Sequence, residues 1–395
     1  MPPVNDWLVE LRRVEEVSMD PKPVVGMVID PWHHPYNGTV VSTRRFVQAL
    51  SDRFSFRILM VQEADTPLQE NHVGFSALRI PGINRILDRM KAPLALPNRA
   101  KLKQVVSECD LLHVQFPFFL GHSVISEAQR QGKPVVASFH VQPENILNNL
   151  NLSSVRLTKL LYRFFIRRFY NRVDCVIAPS QFAADLLAKA GLQKPVVVLS
   201  NGVTQNFFCE HTRQKSASPY HLVSVGRLAQ EKQQHQLIEA IAASRFKSDI
   251  TLSLVGTGPL QARLEALAKR LGVQATIGRV SDDVLQSLYQ SADLFVHTSA
   301  VELEGMSVLE AMAAGCPVLV NQACTSAVPD FVTAPEATYR MNDVQDLTEK
   351  LDAMLDSPEL RQTAAQENRQ IAKARHHNQS VMELEQIYRQ VLGGG

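Results

Sequence analysis

The chain contains 395 residues, of which 45% are hydrophobic and 20% are charged. This composition is typical of a folded protein with two or three domains, and it excludes disordered and fibrous classes. Lys and Arg total 41 against 39 for Asp and Glu, so the formal net charge is +2 and we expect no nucleic-acid partner. The five cysteines are dispersed without metal-like spacing, so we predict neither a disulfide framework nor a metal site.

The sequence has no apolar run near the roughly 18 residues that a membrane-spanning helix needs. Its first 22 residues carry mixed charge, unlike the basic stub and apolar core of a signal peptide. These two features predict a cytoplasmic protein that is neither exported nor integral to a membrane.

Short apolar runs that predict strands alternate with amphipathic segments that predict helices, such as Ser42 to Leu50 and Phe182 to Ala190. The strands predicted in the first half are Val24 to Ile29, Phe56 to Val61, Leu111 to Val114, Pro134 to Phe139, Cys175 to Ala178 and Val196 to Leu199. This alternation is typical of βαβ units around a buried parallel sheet.

The same alternation starts again after residue 220 and predicts a second α/β domain. Its predicted strands are Leu222 to Val225, Thr251 to Val255, Ala275 to Gly278, Leu294 to Thr298 and Pro317 to Val320. The turn signal Asn201-Gly202 marks the join. We predict an N-terminal domain over 1–200, a C-terminal domain over 201–378, and a final helix over 379–395 that crosses back to the N-terminal domain. Two such sheets would face each other across a cleft, with ligand-binding loops at their carboxyl ends.

Two glutamates follow the predicted strand Leu294 to Thr298. Glu302 lies in the loop, and Glu310 lies about a turn into a helix that is predicted to begin near Met306. A helix N-terminus offers free N–H groups and partial positive charge to a phosphate ester, and carboxylates accept hydrogen bonds from sugar hydroxyls. The alternative is that both glutamates are solvated helix residues.

Two permanent cations follow the first strand of the second domain. Arg227 and Lys232 lie five positions apart on one loop, directly after Gly226. A guanidinium fork and an ammonium at a strand carboxyl end suit a diphosphate. The alternative is a surface ion pair with Glu231.

These features occur within an ordered series of motifs along nearly the whole chain. The motifs are Asn37-Gly38-Thr39, His140, Ala178-Pro179-Ser180, Asn201-Gly202-Val203, Gly226-Arg227 with Lys232, Val255-Gly256-Thr257-Gly258-Pro259, Gly278-Arg279-Val280, and Glu302 to Glu310 followed by Ala-Met-Ala-Ala-Gly-Cys-Pro-Val. In this order they resemble glycosyltransferase family 4, whose members are retaining, nucleotide-sugar-dependent enzymes. The resemblance implies the GT-B fold of two Rossmann-like domains.

The resemblance also implies roles for individual residues. Arg227 and Lys232 would neutralise the departing donor diphosphate, Glu310 would bind the ribose, and Glu302 would bind the hexose. The residues whose backbone would border the donor are Gly38, Thr39, Gly256, Arg279, Val280, Gly305 and Met306. His140 would lie near the reacting sugar, and the alternative for this residue is a buried, hydrogen-bonded core histidine.

One departure from the family pattern affects the donor pocket. Leu303 and Glu304 stand where the family usually has Gly and Phe, so we place Glu304 among the donor-binding residues of a reshaped pocket and leave the sugar open. Glu302, Gly305 and Glu310 keep the reaction type. The implied mechanism is a same-face substitution in which the leaving phosphate oxygen takes the acceptor's proton. It requires a nucleotide sugar, UDP-linked by expectation, and no metal or other cofactor.

Positive charge is concentrated in two segments of the predicted N-terminal domain. Residues 79–103 contain seven basic residues and one acid, and residues 156–172 contain six basic residues and no acid. The basic residues that we assign to a membrane or acceptor face are Arg85, Arg89, Lys91, Arg156, Lys159, Arg163 and Arg167. Residues 156–167 also carry an apolar stripe with helical spacing, including Leu160 and Phe164, so the helix suits an anionic leaflet. The alternative is that the stripe packs on the sheet and the basic residues are only solvated.

Three segments resemble the diacylglycerol glucosyltransferase branch of the family. They are residues 37–42, 113–121 and 138–140. The branch implies a peripheral enzyme that glycosylates a lipid hydroxyl at the cytoplasmic face. A transferase with a soluble acceptor and a nucleotide-sugar-binding module without turnover remain alternatives. A nicotinamide dehydrogenase is disfavoured, because no G-x-G-x-x-G motif follows the first strand.

Overall fold

The computed structural model describes residues 21–34, 37–63, 66–79, 93–150, 152, 154–209, 219–332 and 334–393. Within these ranges the chain forms two parallel sheets covered by helices. Several strands, among them Leu111–Val114 and Cys175–Ala178, are buried along their whole length. The continuous β-branched runs of the sequence therefore form strands that are covered on both faces.

The N-terminal sheet has seven strands in the order β3-β2-β1-β4-β5-β6-β7, and every pairing in it is parallel. The strands are β1 Val24–Val28, β2 Ser55–Val61, β3 His72–Phe75, β4 Leu111–Val114, β5 Val135–Ser138, β6 Cys175–Ala178 and β7 Val196–Val198. The helices of this domain are α1 Gly38–Leu50, α2 Arg99–Ser107, α3 Phe119–Gln131, α4 Pro143–Asn149, α5 Val155–Arg168 and α6 Gln181–Lys189.

The C-terminal sheet has six parallel strands in the order β10-β9-β8-β11-β12-β13. The strands are β8 Tyr220–Val225, β9 Ile250–Val255, β10 Gln274–Gly278, β11 Leu294–His297, β12 Val318–Asn321 and β13 Thr338–Tyr339. The helices are α7 Gln234–Ala243, α8 Gln261–Leu271, α9 Asp282–Ser291, α10 Met306–Ala313, α11 Val344–Asp356 and α12 Pro358–Lys373.

The last helix, α13 His377–Gly393, leaves the C-terminal domain and packs on the N-terminal domain. Leu384, Ile387 and Tyr388 are buried with residues of β1, α1 and β2 in one hydrophobic cluster. The Tyr388 hydroxyl lies 2.6 Å from Nδ1 of His113 on β4. The predicted return of the C-terminal helix is confirmed, and the helix begins two residues before the predicted position 379.

Two strands are absent from the sequence prediction. β3 contains a glycine in only four residues, and β13 has only two residues, so neither carries a long β-branched run. Both are edge strands of their sheets. The fold class is confirmed: two Rossmann-like α/β domains with parallel sheets.

Candidate active site

Two loops at the carboxyl edge of the C-terminal sheet are hydrogen-bonded together. The loop after β8 carries Arg227 to Lys232, and the loop after β11 carries Thr298 to Glu304. Ala300 N donates to Glu231 O at 2.9 Å, and Thr298 Oγ1 donates to Lys232 O at 2.6 Å. Because β8 and β11 are neighbours in the sheet, these contacts bring the predicted diphosphate and sugar residues together.

Glu302 lies between two nitrogen groups. Lys232 Nζ donates to Glu302 Oε1, and His297 Nε2 lies 3.3 Å from the same oxygen. Burial acts to raise the pKa of Glu302, but Lys232 and His297 outweigh burial and lower it to about 2. Glu302 is therefore a carboxylate at neutral pH, which accepts hydrogen bonds from hydroxyls and cannot act as a proton donor.

Arg227 is held by the acid that follows it on the same loop. Its Nη2 atom lies 2.5 Å from Oε1 of Glu231, and Glu231 is buried. The ion pair that the sequence allowed as an alternative is thus present. It holds the guanidinium on the loop after β8 while a third of its side-chain surface remains exposed. Arg227 and Lys232 therefore belong to one loop at the sheet edge.

The N-terminus of α10 is built by Gly305. This glycine has φ 83°, and a Cβ atom on it would lie 2.4 Å from Cγ2 of Val328, so only glycine fits the turn. Met306 begins the helix, and Glu310 lies one turn later. Its Oε2 atom accepts a hydrogen bond from Tyr289 at 3.2 Å. Burial raises the pKa of Glu310 to about 7, while Arg45 of α1 acts to lower it.

Glycines bring the loops after β8, β9 and β10 into contact. A Cβ atom on Gly256 would lie 1.9 Å from the carbonyl oxygen of Gly226, and Gly256 N donates to Gly278 O at 2.9 Å. Arg279 and Val280 follow Gly278 directly. The backbone predicted to border the nucleotide base therefore forms one continuous surface beside Arg227.

The N-terminal domain contributes its own strand-end groups. Gly38 begins α1, with Asn37 Oδ1 accepting from Thr39 N at 3.0 Å. Gly38 is exposed. Apart from its chain neighbours and the backbone of its own helix, no atom of the described residues lies within 4 Å of the place that its Cβ would take. The backbone of Gly38 and Thr39 is thus open to close approach, as a phosphate would require.

His140 follows β5, and its Nε2 atom lies 2.9 Å from Oε1 of Gln115. An amide oxygen only accepts, so Nε2 carries the proton and Nδ1 does not. Burial lowers the pKa of His140 to about 4, and the imidazole is neutral at pH 7. His140 therefore lies at a strand end, as expected for a site residue. It is also hydrogen-bonded and half-buried, as expected for a core histidine.

Glu304 occupies a place that the sequence analysis did not anticipate. Its carboxylate accepts hydrogen bonds from Ser200 and Asn201, which connect the two domains. Both oxygens are used by these donors, and the residue is 6% exposed. The predicted contact of this side chain with the donor therefore lacks support in the geometry, because the carboxylate points to the connecting segment.

Four further residues support the site, and sequence reasoning missed them. His297 ends a buried strand and Gln115 follows one. Tyr289 of α9 donates to Glu310, and the charge of Arg45 on α1 acts to lower the pKa of Glu310. A polar residue that closes a continuous apolar run was an available signal for His297 and Gln115. Tyr289 and Arg45 lie on helices, where no local pattern distinguishes them.

The basic surface is described only in part. Arg85, Arg89 and Lys91 lie outside the described residues. Arg156, Lys159, Arg163 and Arg167 are all exposed along α5. The core face of α5 is formed by Tyr162, Phe165 and Ile166, so the predicted apolar stripe is divided: Leu160 is 62% exposed and Phe164 is 55% exposed.

The described ranges contain no group of three or more His, Cys, Asp or Glu residues arranged to hold a metal ion. Among the same residues, no helix has the length and apolar character needed to pass through a bilayer.

Two protein-family models match the chain in series. Residues 36–207 match the model described as "Glycosyltransferase Family 4", and residues 209–371 match "Glycosyl transferases group 1". The first match contains strands β2 to β7 of the N-terminal sheet, and the second contains strands β8 to β13 of the C-terminal sheet.

The names of two curated relatives refer to different sugars. The chain is 25% identical over 230 residues to the alpha-monoglucosyldiacylglycerol synthase of Streptococcus pneumoniae, a match that covers 54% of this chain and 52% of the relative, or about half its length. It is 27% identical over 334 residues to a GDP-mannose-dependent alpha-mannosyltransferase of Mycolicibacterium smegmatis, covering 81% of this chain and 84% of the relative.

Solved structures share the two-domain fold. The HepE protein of Anabaena, solved in complex with UDP and glucose, aligns with a TM-score of 0.73 at 19% identity over 93% of this chain and 100% of that one. Sucrose-phosphate synthase of Thermosynechococcus elongatus aligns with a TM-score of 0.76 at 17% identity over 95% of this chain and all of that one. Because the family matches run in order through both domains and the fold agrees along the chain, this protein belongs to the family 4 glycosyltransferases with the GT-B fold.

Proposed function

We propose that this protein transfers a hexose from a nucleotide sugar to a hydroxyl acceptor with retention of anomeric configuration. The observation that carries the proposal is the grouping of Arg227, Lys232 and the α10 N-terminus around one sheet edge. Two cations and a helix dipole stabilise the charge of a departing nucleoside diphosphate. Glu302, ionised beside them, supplies an acceptor for sugar hydroxyls.

The proposed reaction breaks the bond between the anomeric carbon and the phosphate oxygen and forms a bond to the acceptor oxygen on the same face. The acceptor proton passes to the departing phosphate oxygen, so no protein base is needed. The lowered pKa values of Glu302, about 2, and of His140, about 4, make both groups weak bases. Transfer of the acceptor hydroxyl's proton to either of them would therefore be unfavourable.

We propose UDP-glucose as the donor. The HepE protein of Anabaena, solved with UDP and glucose, shares the fold, and the Streptococcus pneumoniae relative is a glucosyl-lipid synthase by name. The mannosyltransferase relatives favour GDP-mannose as the competing donor, which makes it the first alternative to test.

We propose a membrane lipid such as diacylglycerol as the acceptor. Leu160 and Phe164 are separated by one helical turn on the solvent side of α5, with Arg163 and Arg167 beside them. Exposed apolar residues between basic ones suit the interface of an anionic leaflet. In this proposal the protein is a peripheral enzyme on the cytoplasmic face of the membrane.

A large cavity beside α5 provides room for an acceptor near the membrane face. It has a volume of about 1,090 Å³ and extends between the domains, with Lys159, Tyr162 and Arg163 on one wall and Ala300, Val301 and Thr325 on the other. Ala300 and Val301 belong to the same loop as Glu302. A lipid that enters along α5 would therefore reach the loop that carries the sugar-binding carboxylate.

The proposal is tested by measuring nucleoside diphosphate release from UDP-glucose with anionic vesicles that contain diacylglycerol, beside the same vesicles without diacylglycerol. Release that requires diacylglycerol, together with an α-linked glycolipid product, would support the lipid acceptor. Release with a soluble sugar phosphate and no gain from vesicles would instead establish a soluble acceptor, as the name of the sucrose-phosphate synthase neighbour suggests for that protein. Binding of UDP without turnover under every pairing of UDP-glucose or GDP-mannose with lipid or soluble acceptors would favour a binding module.

A further inference from the structure

The two segments that connect the domains lie side by side. Val203 N donates to Arg375 O at 2.8 Å, and His377 N donates to Val203 O at 2.9 Å. Gly202 has φ 74°, and a Cβ atom on it would lie 2.5 Å from Cα of His377. The first connecting segment (residues 199–203) and the second connecting segment (residues 374–377) are thus hydrogen-bonded side by side. We call these two segments together the junction.

Glu304 attaches the donor-site loop to this junction. Its Oε1 atom accepts from Ser200 Oγ and, at 3.0 Å, from Asn201 N. Its Oε2 atom accepts from Asn201 Nδ2 at 2.5 Å. These bonds connect residues more than 100 positions apart, and a buried carboxylate that accepts several hydrogen bonds has a defined position.

The neighbouring residue makes a second connection to the N-terminal domain. Leu303 packs against the hydrophobic core on one side of the N-terminal sheet. Its carbonyl oxygen accepts from Oγ of Ser180 at 2.5 Å, and Ser180 also caps α6. The two residues that depart from the family pattern are therefore the two that join this loop to the N-terminal side of the molecule.

We propose that Glu304 is a positioning residue that sets the donor-site loop against the interdomain junction. Glu302 lies two residues before Glu304, and the α10 N-terminus begins two residues after it. Movement of this carboxylate would move both groups relative to His140 on the opposite domain. The proposal concerns alignment between domains and rests on the glycosyl transfer proposed above.

Ionisation of Glu304 affects these hydrogen bonds. The titratable groups near it are Arg375 in the second connecting segment and His377 at the start of α13, and burial lowers the pKa of His377. Ser200 and Asn201 are uncharged. Burial raises the pKa of Glu304 to about 7, against the lowering effect of the bonds from Ser200 and Asn201 and of Arg375. Below pH 7 the group is protonated and one oxygen becomes a donor, so it no longer accepts from all three partners. Turnover that depends on the carboxylate falls on the acid side of pH 7.

The test compares Glu304→Ala and Glu304→Gln with the wild type, using Glu127→Gln as a matched buried glutamate in the N-terminal domain. We expect Glu304→Ala to lower kcat at least tenfold while the Kd for UDP changes less than threefold, because Arg227 and Lys232 still bind the diphosphate. Glutamine keeps one acceptor oxygen, and the Asn201 amide can rotate to pair with its NH₂ group. We therefore expect Glu304→Gln to have most of the wild-type kcat at pH 7.5. Below pH 7 its kcat should decline less than that of the wild type, because glutamine does not titrate.

Hydrogen exchange separates this proposal from the proposed function. In the wild type, UDP should slow exchange of the amides at 200–203, and Glu304→Ala should abolish that protection although UDP still binds. If the wild type transfers no sugar, the proposed function is wrong. The hydrogen-exchange result alone then decides the role of Glu304. A folded Glu304→Ala protein with wild-type kcat, or with UDP protection of 200–203 intact, would overturn the proposal.

Discussion

Lys232 donates a hydrogen bond to Glu302 across 70 positions of sequence, from the loop after β8 to the loop after β11. The contact places a candidate diphosphate cation directly on a candidate sugar-binding carboxylate. Each side chain is about one-fifth exposed, so the pair is shielded from most solvent. The contact therefore connects the proposed diphosphate site directly to the proposed sugar site.

Replacing Lys232 by alanine removes one of the two cations at the proposed diphosphate site. We expect turnover to fall on the order of a hundredfold or more, as for the loss of one preorganised electrostatic group. Lys269→Ala, on the exposed face of α8, is the control and should be unaffected. Steady-state release of nucleoside diphosphate is the measurement, and near-normal turnover in Lys232→Ala would contradict the assignment.

Breaking the Lys232–Glu302 pair on one side should cost more stability than removing both charges. Lys232→Met leaves the carboxylate buried without its main partner, so we expect a loss of about 3 kcal/mol in the free energy of unfolding. Adding Glu302→Gln to that variant should recover more than half of the loss. Urea unfolding at pH 7 measures both values, and strictly additive effects of the two changes would argue against the coupling.

Stability should depend on pH through Glu310. Burial raises its folded-state pKa from an ordinary 4.5 to about 7, so the folded protein binds more protons than the unfolded chain between these values. By linkage, the free energy of unfolding contributed by this group falls as pH rises from about 4.5 to 7. Glu310→Gln should make the decline between pH 5 and pH 8 shallower, as measured by denaturant unfolding. Glu265→Gln, an exposed change on α8, should leave the decline as it is.

The exposed apolar pair on α5 should contribute to membrane binding. We expect Leu160→Ser with Phe164→Ser to weaken binding to anionic vesicles about tenfold or more, because each side chain would lose apolar burial in the bilayer interface. The melting temperature should change little, since both residues are more than half exposed. Val284→Ser, an exposed apolar residue on α9, is the matched control in co-sedimentation. Equal binding by the pair variant and the control would exclude this face as the membrane contact.

The α/β architecture was predictable because its strands are continuous apolar runs. Cys175–Ala178 coincides with the predicted range, since burial on both faces leaves no polar interruption in it. Leu111–Val114 coincides as well, although this buried strand contains His113. The proximity of Lys232 to Glu302 follows in part from the same principle, because parallel strands end at one sheet edge. His72–Phe75 was missed because four residues that include a glycine carry little strand signal.

Local sequence patterns did not predict contacts between residues that are far apart in the sequence. Nothing near Glu304 indicates that the chain at Ser200 and Asn201 passes beside it. The sequence showed the apolar stripe of α5, but it did not show which side of the helix faces the core. Tyr162 and Ile166 face the core although basic residues flank them in sequence, so tertiary packing rotates the helix away from the stripe.

The return of α13 has a consequence for how the protein is made. Tyr388 is fully buried and hydrogen-bonded to His113, so the core of the first domain includes residues that are synthesised after the whole second domain. The first domain therefore cannot complete this core while the second domain is being translated, and the apolar side chains that α13 covers lack their partner during that time. Truncation before residue 377 would leave the same surface permanently exposed, and the first domain would depend on a chaperone or on added helix peptide to stay soluble.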